Sequence, residues 1–299
     1  MKIVITGSLG NISRRLAGKL IAKGHDITVV SHNPEKTKAI EEMGATAAIG
    51  SAQDLNFVID TFKGAAAVYT MVPPNFATPD YNGFSATLAK NYALAVTRTG
   101  IRYVVNLSSC ASPLSGVPPF TDFYNLEESL DQLEKINVMH LRPGFFYTNF
   151  YGTIPMIEQA AAIGNIFDEN AIILMSHPQD IADATAEALD TLSFKDRTVK
   201  YIISDRRAGK DVARVLGDAI GKTDLHWVHL SDEQMLAGLV QNGFSEFIAK
   251  TYVLSSGIAI REGLFTKYFQ ENRPEVYGKL LLEDFAKEFA AVYRGRLIN

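Results

Sequence analysis

Cysteine is almost missing. Cys110 is the one thiol in 299 residues, which excludes an internal disulfide and a cysteine-rich metal site. Such sparse use suits a reducing compartment. Basic residues are not in excess either. The chain sets 29 Lys and Arg against 33 Asp and Glu, for a formal net charge of −4, with no basic cluster to form a nucleic-acid face. No apolar run approaches the roughly 20 residues of a membrane span. Gly7, Gly10 and Asn11 interrupt the N-terminal segment before a leader-type apolar core can form. Internal repeats and low-complexity tracts are lacking. Histidines are few and scattered. His226 and His229, three apart on an expected strand, point to opposite faces, so no metal site is expected. These absences leave a soluble cytoplasmic protein whose partner is a small molecule, with no nucleic-acid or membrane partner. The 47% hydrophobic content supports one large domain, or one domain with an appendage.

What is present begins at residue 3. Ile3, Val4 and Ile5 form a β-branched run suited to a buried parallel strand, Gly7 and Gly10 follow, and an apolar-periodic stretch starts at Ile12. Strand, glycine turn and helix in this order make a dinucleotide-binding start. Gly7 permits the tight turn, and Gly10 lets a pyrophosphate approach the backbone. The helix N-terminus then offers free N–H groups to the phosphates. Ser13 stands where the third glycine of the pattern is usual, and it is small enough for close helix–strand packing.

Strands are expected at 26–30, 45–49, 65–70, 103–107 and 138–141, with helices at 11–23, 54–62, 77–99 and 120–136 between them. That alternation of βα units predicts a doubly wound parallel sheet, an α/β Rossmann domain over residues 1–150. Residues 151–299 are read as a smaller, mostly helical, substrate-side region. Its first helix is expected at 153–163, and segments near 172–204 return to the Rossmann sheet, with a helix over 178–192 between them. Large apolar residues crowd 231–272 and read either as helical core or as a lid over the cofactor. The end of the second strand is where such folds contact the adenosine ribose. No acid stands there. Ser31, His32 and Asn33 can donate and Lys36 lies a turn further on, which favours NADP(H) over NAD(H), although His32 reads equally as a solvated loop residue.

With these residues in view, the chain resembles the NmrA-like group of atypical short-chain dehydrogenase/reductases. Thr6–Ser13 is similar to that group's Thr-Gly-x-x-Gly-x-x-Gly turn, and Ser31–Lys36 to its Val-Arg-Asn-Pro-x-Lys segment with His32 at the arginine. Leu141–Phe150 resembles its Leu-Arg-Pro-Gly-x-x-x-x-Asn-Phe stretch, and Pro178–Ala182 its Val-x-Asp-Ile-Ala helix start. The resemblance covers residues 1–221 and implies an NAD(P)(H) cofactor, usually NADPH, with hydride transfer as the common chemistry. The group holds quinone and dye reductases and also redox-sensing regulators that bind the nucleotide without catalysis. The candidate cofactor contacts are Gly7, Ser8, Gly10, Asn11 and Ile12 at the turn, and His32, Asn33 and Lys36 at the ribose. Met71, Val72, Pro73, Ser108, Pro143 and Phe145 extend them along the strand ends.

Reductases of the wider superfamily use Tyr-x-x-x-Lys, two side chains on one helix face, the lysine lowering the tyrosine's pKa for proton transfer. In 120–136 the registers pair Phe123 with Glu127 or Tyr124 with Glu128, and neither holds a lysine. Tyr124 and Ser108 are the candidate catalytic residues. Tyr124 would act as an acid, and Ser108 would hold a substrate oxygen or, alternatively, touch the nicotinamide end. Ser109, Phe146, Asn149 and Tyr151 are the candidate substrate pocket, and Cys110 reads as a small buried residue. A quinone needs no strong acid, because the oxyanion left by hydride transfer can take a proton from water. The expectation is therefore an NAD(P)H-dependent oxidoreductase for a small apolar acceptor, a quinone or related carbonyl. The alternative is a non-catalytic NADP(H) sensor that contacts a protein partner. A homodimer stays open.

Overall fold

The computed structural model describes residues 1–75, 78–117, 120 and 125–297. The first half alternates strand and helix: β1 (Lys2–Ile5), α1 (Ser13–Ala22), β2 (Asp26–Ser31), α2 (Thr37–Glu42), β3 (Thr46–Ile49), α3 (Leu55–Phe62), β4 (Ala67–Thr70), α4 (Tyr81–Thr99), β5 (Tyr103–Leu107), α5 (Asn125–Asp131) and β6 (Asn137–Pro143). Period-2 patterning explains the two layers of helix. Ile3 and Ile5 of β1 face α1 together with Ile27, Val29, Tyr69, Val105 and Leu141, where they pack on Leu16, Leu20, Ile181 and Leu189. Val4, Val68, Val104 and Val138 face the other way, onto Val58, Phe62, Leu88, Tyr92, Leu126 and Leu130. The sheet is thus apolar on both faces and covered on both.

The second half contributes β7 (Phe145–Phe146), α6 (Ile154–Ala160), β8 (Ala162–Asn165), β9 (Ile172–Ser176), α7 (Pro178–Thr191), β10 (Arg197–Ile202), β11 (Asp205–Ala208), α8 (Gly209–Ile220), β12 (His226–His229), α9 (Asp232–Gln241), α10 (Glu246–Ile248), α11 (Ser255–Arg261), α12 (Leu264–Asn272), β13 (Val276–Tyr277) and α13 (Leu282–Leu297). Among the described residues the main sheet has eight strands in the order β13-β10-β6-β5-β4-β1-β2-β3. Its pairings are parallel. The chain is a doubly wound α/β fold of Rossmann type.

Three expectations need correcting. Of the two strands expected to return to the sheet, Arg197–Ile202 does, in register with Val138–Pro143, but Ile172–Ser176 does not. The free edge of β6 is already taken by β10. β9 instead pairs with β7 and β11 in a three-stranded sheet. The chain crosses there at Gly144, where an added Cβ would lie 2.3 Å from the Leu174 carbonyl oxygen. The helix expected over 153–163 stops at Ala160 because Ala161 turns left-handed (φ 49°) and Ala162–Asn165 then pairs with β12. The helix expected over 120–136 is described from Asn125 and ends at Asp131, with residues 121–124 outside the described residues. Arg197 caps its end by donating to the carbonyls of Asp131 (3.0 Å) and Leu130 (3.4 Å).

A second core lies beyond the sheet. Tyr147, Phe150, Ile154, Phe167, Trp227, Phe285 and Phe289 are buried together, with α8 and α13 closing around them. In the crowded stretch 231–272 the burial is uneven. α9 buries none of its residues and Phe247 is 41% exposed, whereas Ala259, Ile260 and Phe269 in α11 and α12 are buried.

Candidate functional site

The carboxyl ends of β1, β2, β4, β5 and β6 gather one set of loops along one edge of the sheet, the side on which open α/β sheets bind ligands. The turn after β1 is tight. Gly7 has φ 91°, and a Cβ on it would come within 2.9 Å of both Met71 Sδ and Ser13 Oγ. Ser8 follows with φ 56°, a conformation that costs a side-chain-bearing residue roughly 1–2 kcal/mol. Two bonds hold it there: its N–H donates to Val30 O (2.9 Å) and its hydroxyl to Ser31 Oγ (2.9 Å). Ser13 is buried, and its hydroxyl donates to Thr6 O at 2.9 Å, so a serine replaces the third glycine with no polar group left over.

Gly10 differs from Gly7. An added Cβ would meet a single protein atom within 4 Å, Gly7 O at 3.2 Å, so its outer face is open. No side chain caps the N-terminus of α1. Asn11 stands beside it, exposed, with its Nδ2 donating to Thr148 Oγ1 at 3.4 Å. Ile12 is buried under the turn. An open glycine face beside uncapped helical N–H groups fits a pyrophosphate.

At the end of β2 the three expected donors separate. Ser31 is buried; its hydroxyl accepts from Ser8 and from Asn33 N–H (3.2 Å) and donates to Asn33 O (3.3 Å). Asn33 caps the next turn, accepting from Glu35 N–H at 2.9 Å. His32 and Lys36 are exposed, and neither side chain has an ion pair or hydrogen bond among the described residues. Of the donors at this strand end, these two could meet a ribose phosphate. At β4, Met71 N–H donates to Thr6 Oγ1 (3.1 Å), which pins Met71, Val72 and Pro73 against the turn, half-buried.

The loop after β5 lies beside the end of β6. Ser108 N–H donates to Leu141 O (2.8 Å) and Cys110 N–H to Pro143 O (2.7 Å). Ser108 Oγ shares a 2.7 Å hydrogen bond with Ser112 Oγ, and Ser109 Oγ accepts from Ala111 N–H at 3.2 Å. Burial pushes the Cys110 thiol up to about 12, with Arg142 opposing, so it stays protonated and unreactive at neutral pH.

Against Ser108 stands a network that residue spacing does not reveal. Glu127 and Arg142 form a forked pair, Nε to Oε1 at 3.0 Å and Nη2 to Oε2 at 2.7 Å, both side chains largely buried. Burial pushes the Glu127 carboxyl up, but the Arg142 bonds, His140 and Ser108 together hold it below the usual carboxylate range. Arg142 Nη1 then donates to Tyr201 OH at 3.0 Å, and Tyr201 OH lies 3.1 Å from Tyr268 OH on α12. Glu127 was visible in sequence only as the residue in a lysine's register, and Arg142 only as part of a motif. Tyr268 was visible only as one of the large apolar residues crowding 231–272, and Tyr201 carried no signal.

The remaining expected residues do not converge. Pro143 is buried at the end of β6, and Phe145 packs on Phe150 (5.2 Å between ring centroids) in the second core. Phe146 packs on the Rossmann core instead. Asn149 is exposed, and Tyr151 stacks against Phe289 at 5.9 Å and leans on Phe285 at 5.3 Å. Phe146 and Tyr151 therefore pack against different cores. Tyr124 lies outside the described residues. The wall facing the Ser108–Ser112 loop is built by α11 and α12: Ala259, Leu264 and Phe265 pack on Ala111, Leu114 and Phe120.

The model of the NmrA-like family matches residues 1–265. The chain belongs to this family. No curated protein matches it by sequence. Among solved structures, an NADPH-dependent quinone oxidoreductase of Escherichia coli in complex with NADPH superposes with a TM-score of 0.76 at 18% identity, over 99% of this chain and 100% of that one. A Citrobacter sp. triphenylmethane reductase complexed with NADP(H) gives 0.77 at 19% identity, over 96% and 99%. The negative transcriptional regulator NmrA in complex with NADP gives 0.73 at 15%, over 99% and 97%. At these identities the likeness is one of fold. No helix among the described residues is long and apolar enough to cross a membrane.

Proposed function

We propose that this NmrA-like protein is an NADP(H)-dependent reductase of a small apolar acceptor, a quinone or related carbonyl. The observation that carries the reading is the open face of Gly10 beside the uncapped start of α1, continued along the strand ends to Ser108. Gly7, Ser8, Gly10, Asn11 and Ile12 would hold the pyrophosphate, and His32 and Lys36 the 2′-phosphate. Met71, Val72, Pro73 and Ser108 would line the way to the nicotinamide. When bound, the cofactor supplies the hydride. The protein holds a flat acceptor against it, under the apolar wall formed by Phe265 and Leu264. The E. coli quinone reductase and the dye reductase support this reading by fold and by the cofactor each carries.

A second reading has its own observation. The register of the superfamily lysine holds Glu127, closed onto Arg142. A protein that kept the cofactor site and lost the proton machinery would serve as a redox sensor, with a protein partner. One experiment separates the two: cofactor oxidation over a panel of quinones, dyes and aldehydes, run with NADPH and with NADH. The reductase turns over at least one acceptor and prefers NADPH. A sensor turns over none and binds oxidised and reduced cofactor with unequal affinity.

A further inference from the structure

We infer that Arg14 belongs to the cofactor site and selects NADPH over NADH, holding the 2′-phosphate together with His32 and Lys36. This rests on the reading of the Gly10 turn as the pyrophosphate seat. Arg14 is the second residue of α1, and its N–H donates to Gly10 O at 3.1 Å. Its backbone is therefore one hydrogen bond from that seat. The side chain is exposed and has no ion pair or hydrogen bond among the described residues. The cations that follow it are all engaged. Arg15 bonds Gln179 (3.2 Å) and Glu288 (3.1 Å), Lys19 pairs with Asp183 (2.6 Å), and Lys23 pairs with Asp190.

Helical geometry gives the side on which Arg14 stands. Arg15, Lys19 and Lys23 recur every four residues and mark the flank beside α7, which carries Gln179, Asp183 and Asp190. Ser13, Leu16, Ala17 and Leu20 are buried toward the sheet. Arg14 lies on neither stripe. It shares the opposite flank with Ile21, seven residues or about two turns further on. Ile21 Cγ2 lies 3.6 Å from where a Cβ on Gly44 would stand, just past the end of α2. Arg14 is thus on the α2 side of α1. A helical side chain also leans toward its helix's N-terminus, here the sheet edge where β2 leads into α2. Two bonds hold that loop against the glycine turn, Ser8 N–H to Val30 O and Ser8 Oγ to Ser31 Oγ, both 2.9 Å. His32 and Lys36 come from the same loop. Its carboxylate, Glu35, accepts from Asn33 Nδ2 (3.5 Å) and pairs with none of the three.

The chemistry suits a phosphate monoester, which carries roughly two negative charges near neutral pH. A guanidinium can give it two parallel N–H bonds, where a lysine offers a point charge. The 2′-hydroxyl of NADH is neutral and gives Arg14 no charge to meet. Arg14 therefore acts on the choice of cofactor and not on the hydride step.

The test measures Kd by calorimetry on the full chain for NADPH, NADH and 2′,5′-ADP, which carries the 2′-phosphate and no pyrophosphate. Arg14→Gln is expected to weaken NADPH and 2′,5′-ADP by about tenfold each and to change NADH by less than about twofold. Arg14→Lys keeps the charge without the fork and falls between wild type and Arg14→Gln. Tm stays unchanged, because the side chain is exposed. An NADPH Kd within about twofold of wild type in Arg14→Gln overturns the inference alone. So does an equal loss for NADPH and NADH, which would make Arg14 a pyrophosphate contact. A wild type that binds neither dinucleotide overturns the cofactor reading and the inference together.

Discussion

Asp180 offers the sharpest test of how the second half of the chain is held to the first. It stands in the first turn of α7, largely buried, and one carboxylate oxygen, Oδ2, accepts three hydrogen bonds: from Ser204 Oγ (2.6 Å), Lys279 N–H (2.9 Å) and Leu280 N–H (3.1 Å). The last two cross 99 and 100 residues and fix the segment that leads into α13. Asp180→Ala removes the acceptor and leaves two backbone donors and a hydroxyl unpaired. Hydrogen bonds to a charged group contribute about 1.5–3 kcal/mol each, and water can partly replace them, so a loss of about 4 kcal/mol is expected. For a chain of this length that corresponds to a fall in Tm of about 8 °C. Asp180→Asn keeps an oxygen in place and loses only the charge and its interaction with the helix dipole, for about 1–2 kcal/mol. Urea unfolding followed by circular dichroism, with Tm as a second readout, checks both. Equal stability of the Ala and Asn variants would refute the reasoning, since the Asn side chain retains what Ala lacks.

Three further outcomes follow from the site. Gly10→Val should abolish NADPH binding, measured by fluorescence titration, and shift Tm little, because an added Cβ meets only Gly7 O within 4 Å; retained binding would remove the pyrophosphate from this turn. Lys36→Glu should weaken NADPH binding by about tenfold, on the order of 1–2 kcal/mol for a reversed exposed charge, and leave NADH nearly unchanged. His177 should make stability depend on pH. Its Nδ1 accepts from Gln179 N–H (3.0 Å) while Nε2 faces Glu288 (3.2 Å), and burial, joined by Arg15, lowers its pKa in the folded state. The folded protein then binds fewer protons than the unfolded chain. The stabilisation is complete above the unfolded value near 6.5 and declines as pH falls below it. Tm measured from pH 7.5 to pH 5 should fall more in the wild type than in His177→Asn, which keeps a capping acceptor without the titration.

Local periodicity carried most of the Rossmann half. Ile3, Val4 and Ile5 could be read as a buried strand, and Gly7 and Gly10 as a phosphate turn, because strand pattern and turn chemistry lie within a few consecutive residues. Element ends were read less well. Ala161 turns left-handed where a helix was expected, and Arg197 caps the end of α5 from 66 residues away. Neither cause is local.

By itself, the sequence determined that β1 is followed by an open glycine turn and a helix, that both faces of the sheet are apolar, and that Glu127 stands in a lysine's register. These depend on residues near one another in the chain. Only the tertiary structure decided which of Ser31, His32 and Lys36 stay free, because Ser31 is taken up by Ser8 across β1 and β2. It also decided that Asp180 clamps residues 279 and 280, and that Arg142, Tyr201 and Tyr268 form one chain of hydrogen bonds. A hydrogen bond depends on distance in space, and these partners lie 59 to 100 residues apart, on strands, helices and loops that only the folded chain brings together.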